Sequence, residues 1–320
     1  MFSCHFPSEA RATLKRIGQS GRNRVILVTV PALLTFLVPT FMADTAQSAV
    51  VAATTGTPVT KVLVFVEENH SYNEMKAQMP YTAGLAQKYG YATSYKATAH
   101  PSLPNYLAMA GGTTFGITND YPPAQHPVNA SSVFGTAISA GRTAKTYAEG
   151  MPSNCSTKNA GLYAVRHNPW TYFTPTASER QQCLAYDVPE TALASDISKG
   201  TLPTVGMVIP NVCNDAHSCP LATADAWFNS RMANVLAGPD FTSGRLAVIL
   251  TADEDDRTQA NTVLTVVVHP SLSGLGKVVS TPLTQYSLTR LLQDVAHSTP
   301  YLSNAAGAPD LAAAFGLTIG

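Results

Sequence analysis

Two short apolar runs end abruptly in acid. Val62 to Val66 stops at Glu67-Glu68-Asn69, and Leu246 to Ala252 stops at Asp253-Glu254-Asp255-Asp256. Runs of this length, rich in β-branched residues, read as buried strands. In an open α/β sheet the ligand site lies beyond the carboxyl ends of such strands. Carboxylate and amide oxygens suit hard divalent cations, so the two acidic ends predict one cation site. Side chains alternate along a strand, so Glu67 and Glu68 cannot face one site while the strand persists. Glu68 and Asn69, just past the first strand, are the expected ligands, with Asp253 and Glu254 from the second. Asp255 and Asp256 are expected to face solvent or to sit behind the ligands. A solvated acidic loop is the simpler reading of either run taken alone.

Two further segments carry candidate chemistry. In His100-Pro101-Ser102-Leu103-Pro104-Asn105-Tyr106 two prolines fix the backbone around a serine. Ser102 reads either as a helix N-cap or as a nucleophile activated by a metal rather than by a histidine. His100 and Asn105 beside it favour the second reading, and His100 is a candidate for substrate contact. The segment Pro210 to Cys219 follows a predicted strand and presents Asp215 and His217. His217 could protonate a leaving group. An ordinary disulfide-closed turn is the alternative. His269, at the end of another predicted strand, is a weaker candidate for the same pocket. His70, His126, His167 and His297 have no supporting neighbours. No phosphate loop, dinucleotide fingerprint or Gly-x-Ser-x-Gly elbow is present.

The elements that must position these residues alternate. Strands are expected at 61–66, 143–148, 205–209, 245–250 and 262–268. Helices are expected at 81–89, 132–139, 192–199, 223–236 and 287–296, with a further helix beginning after Pro104 at 106–110. In the 287–296 segment Leu288, Leu291, Leu292 and Val295 recur at helical spacing. The alternation predicts an α/β fold with a mainly parallel central sheet flanked by helices on both faces. Residues 150–190 break the rhythm. That stretch is polar and aromatic, and reads as an excursion that shapes the substrate pocket.

Residues 1–50 read as a signal peptide and leader: five basic residues precede the apolar Val25–Met42, and small residues follow. A retained membrane anchor is the alternative. Residues 51–60 are expected to be flexible and 61–320 to form a single domain, secreted or extracytoplasmic, with no stable membrane span after cleavage. Without residues 1–50, fifteen basic and eighteen acidic residues remain. This balance, with no basic stripe, argues against a nucleic-acid partner. Cys155, Cys183, Cys213 and Cys219 are an even set in an exported chain, so two disulfides are expected. Of three possible connectivities the pairs nearest in sequence, Cys155–Cys183 and Cys213–Cys219, are favoured. A zinc site is disfavoured because no Cys-x-x-Cys pair occurs.

Five blocks in order carry a resemblance: Glu67 to Tyr72, His100 to Tyr106, Pro210 to His217, Asp253 to Asp256 and Thr284 to Arg290. Together they resemble the bacterial phosphoesterase family that contains acid phosphatases and phospholipases C, within the alkaline-phosphatase-like superfamily. The likeness spans about residues 61–317. It implies an alkaline-phosphatase-like fold and a metal-dependent phosphoric ester hydrolase, with a phosphate ester as its partner. It implies Ser102 as nucleophile, Glu68, Asn69, Asp253 and Glu254 as metal ligands, and Asn105 against a phosphate oxygen. Asp215 and His217 would line the phosphate pocket. The metal would be Ca²⁺, Mg²⁺, Mn²⁺ or Zn²⁺. A phosphomonoesterase is favoured, because the chain is short for the extra domains of large phospholipases C. A phospholipase C-type diesterase is the alternative, and a catalytically weak cell-surface binding protein on the same fold is the reading from another class. One departure stands out: Gln285 occupies a place where family members often carry histidine, which leaves the proton donor open.

Overall fold

The computed structural model describes residues 56–320. The expected signal and leader lie outside the described residues. The strands are β1 (Lys61–Glu67), β2 (Gly90–Ala92), β3 (Tyr95–Lys96), β4 (Ala144–Ala148), β5 (Asp187–Pro189), β6 (Val205–Ile209), β7 (Leu246–Ala252), β8 (Thr265–Val268), β9 (Lys277–Val279) and β10 (Leu283–Thr284). The helices are α1 (Tyr72–Gln78), α2 (Pro80–Lys88), α3 (Ser102–Gly111), α4 (Val133–Ser139), α5 (Ala177–Tyr186), α6 (Leu193–Lys199), α7 (Leu221–Ala237), α8 (Pro239–Thr242), α9 (Gln285–Ala296) and α10 (Leu311–Phe315).

Eight strands form one sheet in the order β5-β4-β6-β1-β7-β8-β2-β9. From β5 to β7 every pairing is parallel. β1 lies at the centre, and its register sets Lys61 opposite Leu246 and Glu67 opposite Ala252. The two strands therefore end level, and the two acidic segments emerge side by side. All of β1 except Lys61 is buried, as a strand covered on both faces requires. Phe65 packs edge-on against Trp227 and Phe228 of α7, with centroids 6.2 and 5.1 Å away. α1, α2, α6, α7 and α8 pack together, while α9 packs against β1, β6, α3 and α4. The stripe Leu288, Leu291, Leu292 and Val295 of α9 is buried, as its spacing predicts.

β8 corrects one expectation. It runs antiparallel to β7, with Val268 opposite Val248 near the start of that strand. His269 therefore leaves the sheet at the end opposite the acidic loops. Its Nε2 hydrogen-bonds the Gly244 carbonyl at 2.9 Å and its Nδ1 pairs with Ser271 Oγ at 2.7 Å, so it is not part of the pocket. A second correction concerns α3, which begins at Ser102 rather than beyond Pro104. Proline is tolerated in a first turn because the N–H it lacks has no helical acceptor there. α3 closes on Gly112 at φ 72°, a left-handed cap that suits glycine.

The stretch that breaks the rhythm joins the sheet as its edge. β5 pairs parallel with β4, setting Asp187 opposite Thr146. Disulfides join Cys155 to Cys183 and Cys213 to Cys219. Val59, within the stretch the sequence assigns to a flexible leader, is fully buried and bridges Ile319. Among the described residues no helix is long and apolar enough to cross a membrane.

Candidate active site

Glu68 sits one residue past β1, where the strand gives way to a turn, and it is fully buried. Its backbone N–H donates to the Asp215 carbonyl at 2.8 Å, tying it to the loop after β6. Its carboxylate takes two hydroxyl donors from the first turns of α3. Ser102 Oγ donates to Oε2 at 2.9 Å and the Tyr106 hydroxyl donates to Oε1 at 2.5 Å. Residues four apart lie on one helix face, so one helix end brings both hydroxyls to one carboxylate.

The third side of the site comes from the excursion. His167 lies in a short 3₁₀ turn, Val165–His167. Its Nδ1 hydrogen-bonds Asp215 Oδ2 at 3.1 Å, and its Nε2 stands 3.3 Å from Glu68 Oε2 without making a hydrogen bond. The ring stacks on Tyr106 with centroids 5.2 Å apart. Its neighbours are pinned. Asn168 donates to Asp187 Oδ2 at 2.9 Å and Trp170 Nε1 donates to Glu179 Oε2 at 2.8 Å. Sequence reading set His167 aside. Its partners are distant in the chain, and the only signal was its place between two disulfide-forming cysteines.

The centre is crowded with acid. Burial, then Asp253 and Asp215, pushes the Glu68 carboxyl well up. Burial and the neighbouring Glu254 do the same to Asp253. Asp215 is pushed up to about 8, and Glu254 to about 7, each chiefly by burial. Burial and the Arg166 charge push His167 well down, so its imidazole is neutral. With Nδ1–H donated to Asp215, the Nε2 lone pair faces Glu68 and has no donor. Asp253 Oδ2 is likewise buried without a partner. Orphaned acceptors among several buried carboxylates are what a cation would satisfy. Glu68, His167 and Asp215 each offer a ligand atom, all within 4.8 Å of one another.

The expected ligands are placed differently from one another. Asp253 stands next to Glu68, and its Oδ1 accepts the N–H groups of Asn69 at 3.1 Å and Glu254 at 2.7 Å. Asn69, at φ 56°, thus meets Asp253 through its backbone. Glu254 is held by Asn105 Nδ2 at 3.2 Å and faces His100 Nδ1 at 3.2 Å. Asn105 is saturated by the 98–101 loop: its Oδ1 accepts from Thr98 and Ala99, and its Nδ2 also donates to Ala99 and Pro101. His100 also stands 3.3 Å from Asp255. Asp255 is buried and accepts the N–H groups of Arg257, Gln259 and Asn261, so it folds the acidic loop rather than facing solvent.

His217 is exposed at the rim, with Nε2 3.0 Å from Arg166 Nη2 and its ring 5.9 Å from that of His167. Burial, then the Arg166 charge, lowers its pKa. Gln285 replaces histidine with a brace. Its Nε2 donates to the Asp253 carbonyl at 2.6 Å, and its Oε1 accepts the Thr98 N–H at 3.0 Å. Arg166 and Asp120, neither singled out from sequence, also face the site, 3.9 Å apart.

Comparison with known proteins places the chain in a family. The sequence profile described as "Phosphoesterase family" matches residues 64–295, most of the chain. A phosphatidylinositol-3-phosphatase of Mycobacterium tuberculosis is 36% identical over 64% of this chain and 67% of its own length. A phosphate-repressible acid phosphatase of Penicillium chrysogenum is 32% identical over 54% of this chain and 42% of its own. The chain thus spans about two thirds of the mycobacterial relative and less than half of the fungal one. A protein of the alkaline phosphatase superfamily from Vibrio parahaemolyticus superposes with a TM-score of 0.51 at 11% identity, covering 81% of this chain and 72% of its own. That likeness is one of fold.

Proposed function

From the premise that the chain belongs to the phosphoesterase family, we propose a secreted, metal-dependent phosphomonoesterase with Ser102 as its nucleophile. The observation that carries this reading is the convergence of Ser102 Oγ, a buried carboxylate and an undonated imidazole nitrogen at one point. Glu68, His167, Asp215 and Asp253 would hold the cation. When bound, a divalent ion supplies Lewis-acid polarisation of a phosphoryl oxygen and favours the serine alkoxide.

The chain's own residues do the rest. Glu68 Oε2 orients the Ser102 hydroxyl and receives its hydrogen bond. Tyr106 holds the other carboxylate oxygen. Asp215 fixes the His167 tautomer through Nδ1. Asn105 and Gln285 tie the 98–101 loop to the acidic loop. Ser102 attacks phosphorus, and the leaving alcohol takes a proton from water or from His217 at the rim, which must first be protonated because burial and Arg166 lower its pKa. Water then hydrolyses the phosphoserine. Phosphoryl transfer needs mainly positioning and charge neutralisation. The two disulfides support an extracytoplasmic setting, and the relatives' names support ester hydrolysis.

Initial rates on p-nitrophenyl phosphate and on its phosphocholine ester, with and without chelator, test the reading. Chelator-sensitive turnover favouring the monoester is expected. Faster diester cleavage would reassign the substrate class, and no turnover with any divalent cation would leave a binding protein.

A further inference from the structure

The end of α3 that carries Ser102 already holds an anion. The Leu103 N–H, one residue beyond Ser102, donates to Asp120 Oδ1 at 2.9 Å. The first N–H groups of a helix have no helical acceptor and favour negative charge. Pro104 lacks the next donor, which makes the Leu103 group the more valuable. The other Asp120 oxygen lies 3.9 Å from Arg166 Nε. Arg166 is the cation whose charge bears on both His167 and His217. Asp120 acts on Glu254 as a like charge. Its side chain is 34% exposed, so it can leave. A phosphoryl group on Ser102 would want the same N–H and the same guanidinium, and a cation on the buried, unpartnered His167 Nε2 and Asp253 Oδ2 would draw it there.

We propose that Asp120 is a built-in competitor of the substrate phosphate, standing on the Leu103 N–H and facing Arg166 until a phosphate dianion displaces it. The inference rests on the phosphoesterase reading for its ligand, and makes Asp120 and Arg166 determinants of phosphate affinity rather than of the chemical step. Asp120 would keep the product from lingering, while Arg166 reaches the phosphate once Asp120 has swung out.

Asp120→Asn keeps an oxygen for the Leu103 N–H and removes the charge. Calorimetric titration of the full chain with inorganic phosphate, at fixed Mg²⁺, is expected to show binding about tenfold tighter in D120N. Arg166→Gln should weaken binding by a similar factor, and KM should follow Kd while kcat changes less. Unchanged or weaker phosphate binding in D120N overturns the proposal. Should D120N fail to fold, Asp120→Ala, which removes both the charge and the acceptor, serves the same comparison. Because binding is read without turnover, tighter binding in a variant of a protein inactive on every ester would support this inference and overturn the catalytic reading. Turnover with unchanged phosphate affinity would overturn the inference alone.

Discussion

His167 spans two buried carboxylates, with Nδ1 on Asp215 at 3.1 Å and Nε2 3.3 Å from Glu68. One imidazole thereby links the loop after β6 to the end of β1. A neutral histidine whose N–H is fixed by a carboxylate presents its other nitrogen as a ligand. His167→Ala is expected to lower kcat/KM at saturating cation by at least about 10–100-fold. It should also raise the cation concentration needed for half-maximal activity. An unchanged cation requirement would remove His167 from the site.

Cation binding should register as stability. Glu68, Asp215 and Asp253 are held together with no opposite charge among them strong enough to lower their pKa values. A ligand at a hundred times its Kd stabilises the fold by about 2.7 kcal/mol. Melting the chelated protein with Ca²⁺, Mg²⁺, Mn²⁺ or Zn²⁺ added back should raise Tm for at least one ion. The ion that gives the largest rise should also support the fastest turnover. No rise with any of the four would contradict a metal centre.

Asp187 predicts a pH dependence away from the reacting groups. It is fully buried within the excursion, where burial pushes its carboxyl from 3.8 to about 7 against the hydrogen bonds of Thr146 and Asn168. Between those values the folded chain keeps a proton that the unfolded chain has lost. Stability from this group is therefore greatest in acid and falls as pH rises from about 4 to about 7, by up to roughly 4 kcal/mol. Urea unfolding at pH 5 and pH 8 should show a smaller difference in Asp187→Asn than in the native chain. Equal differences would place the titration elsewhere.

The Cys155–Cys183 bridge closes a loop of 28 residues that contains His167. Chain entropy assigns such a bridge about 3–4 kcal/mol. Replacing both cysteines by alanine should cost a stability of that order, read by denaturant unfolding. It should also lower kcat more than the equivalent change at Cys213–Cys219, because Asn168 and Trp170, which follow His167 directly, would lose their fixed anchors. Equal losses at the two bridges would argue against a positioning role for the excursion.

The parts of the candidate site that lie at strand ends were legible in the sequence. Glu68 and Asp253 were legible because each follows an apolar run, and the level ends of β1 and β7 bring them together. Ser102 was legible from its prolines and neighbours, although Pro104 hid the true start of α3. His269 misled because a strand's direction is not written in its composition: β8 is as apolar as the parallel strands β1, β6 and β7 and runs the other way. His167, Arg166 and Asp120 were illegible for a different reason. Their partners lie far along the chain, in 3₁₀ turns and loops that carry no periodic pattern, and only tertiary packing unites them. Gln285 looked like a lost catalytic group, and the fold gives it a bracing task between Asp253 and Thr98.

The central claim is that Ser102 takes the phosphoryl group. Acid-quenching the enzyme during turnover of p-nitrophenyl phosphate, then mapping its peptides by mass spectrometry, tests it directly. The account predicts a phosphoryl mass on the peptide containing Ser102, absent from Ser102→Ala, whose turnover should fall by several orders of magnitude. Near-normal turnover in Ser102→Ala, or a phosphoryl group on another residue, would contradict it.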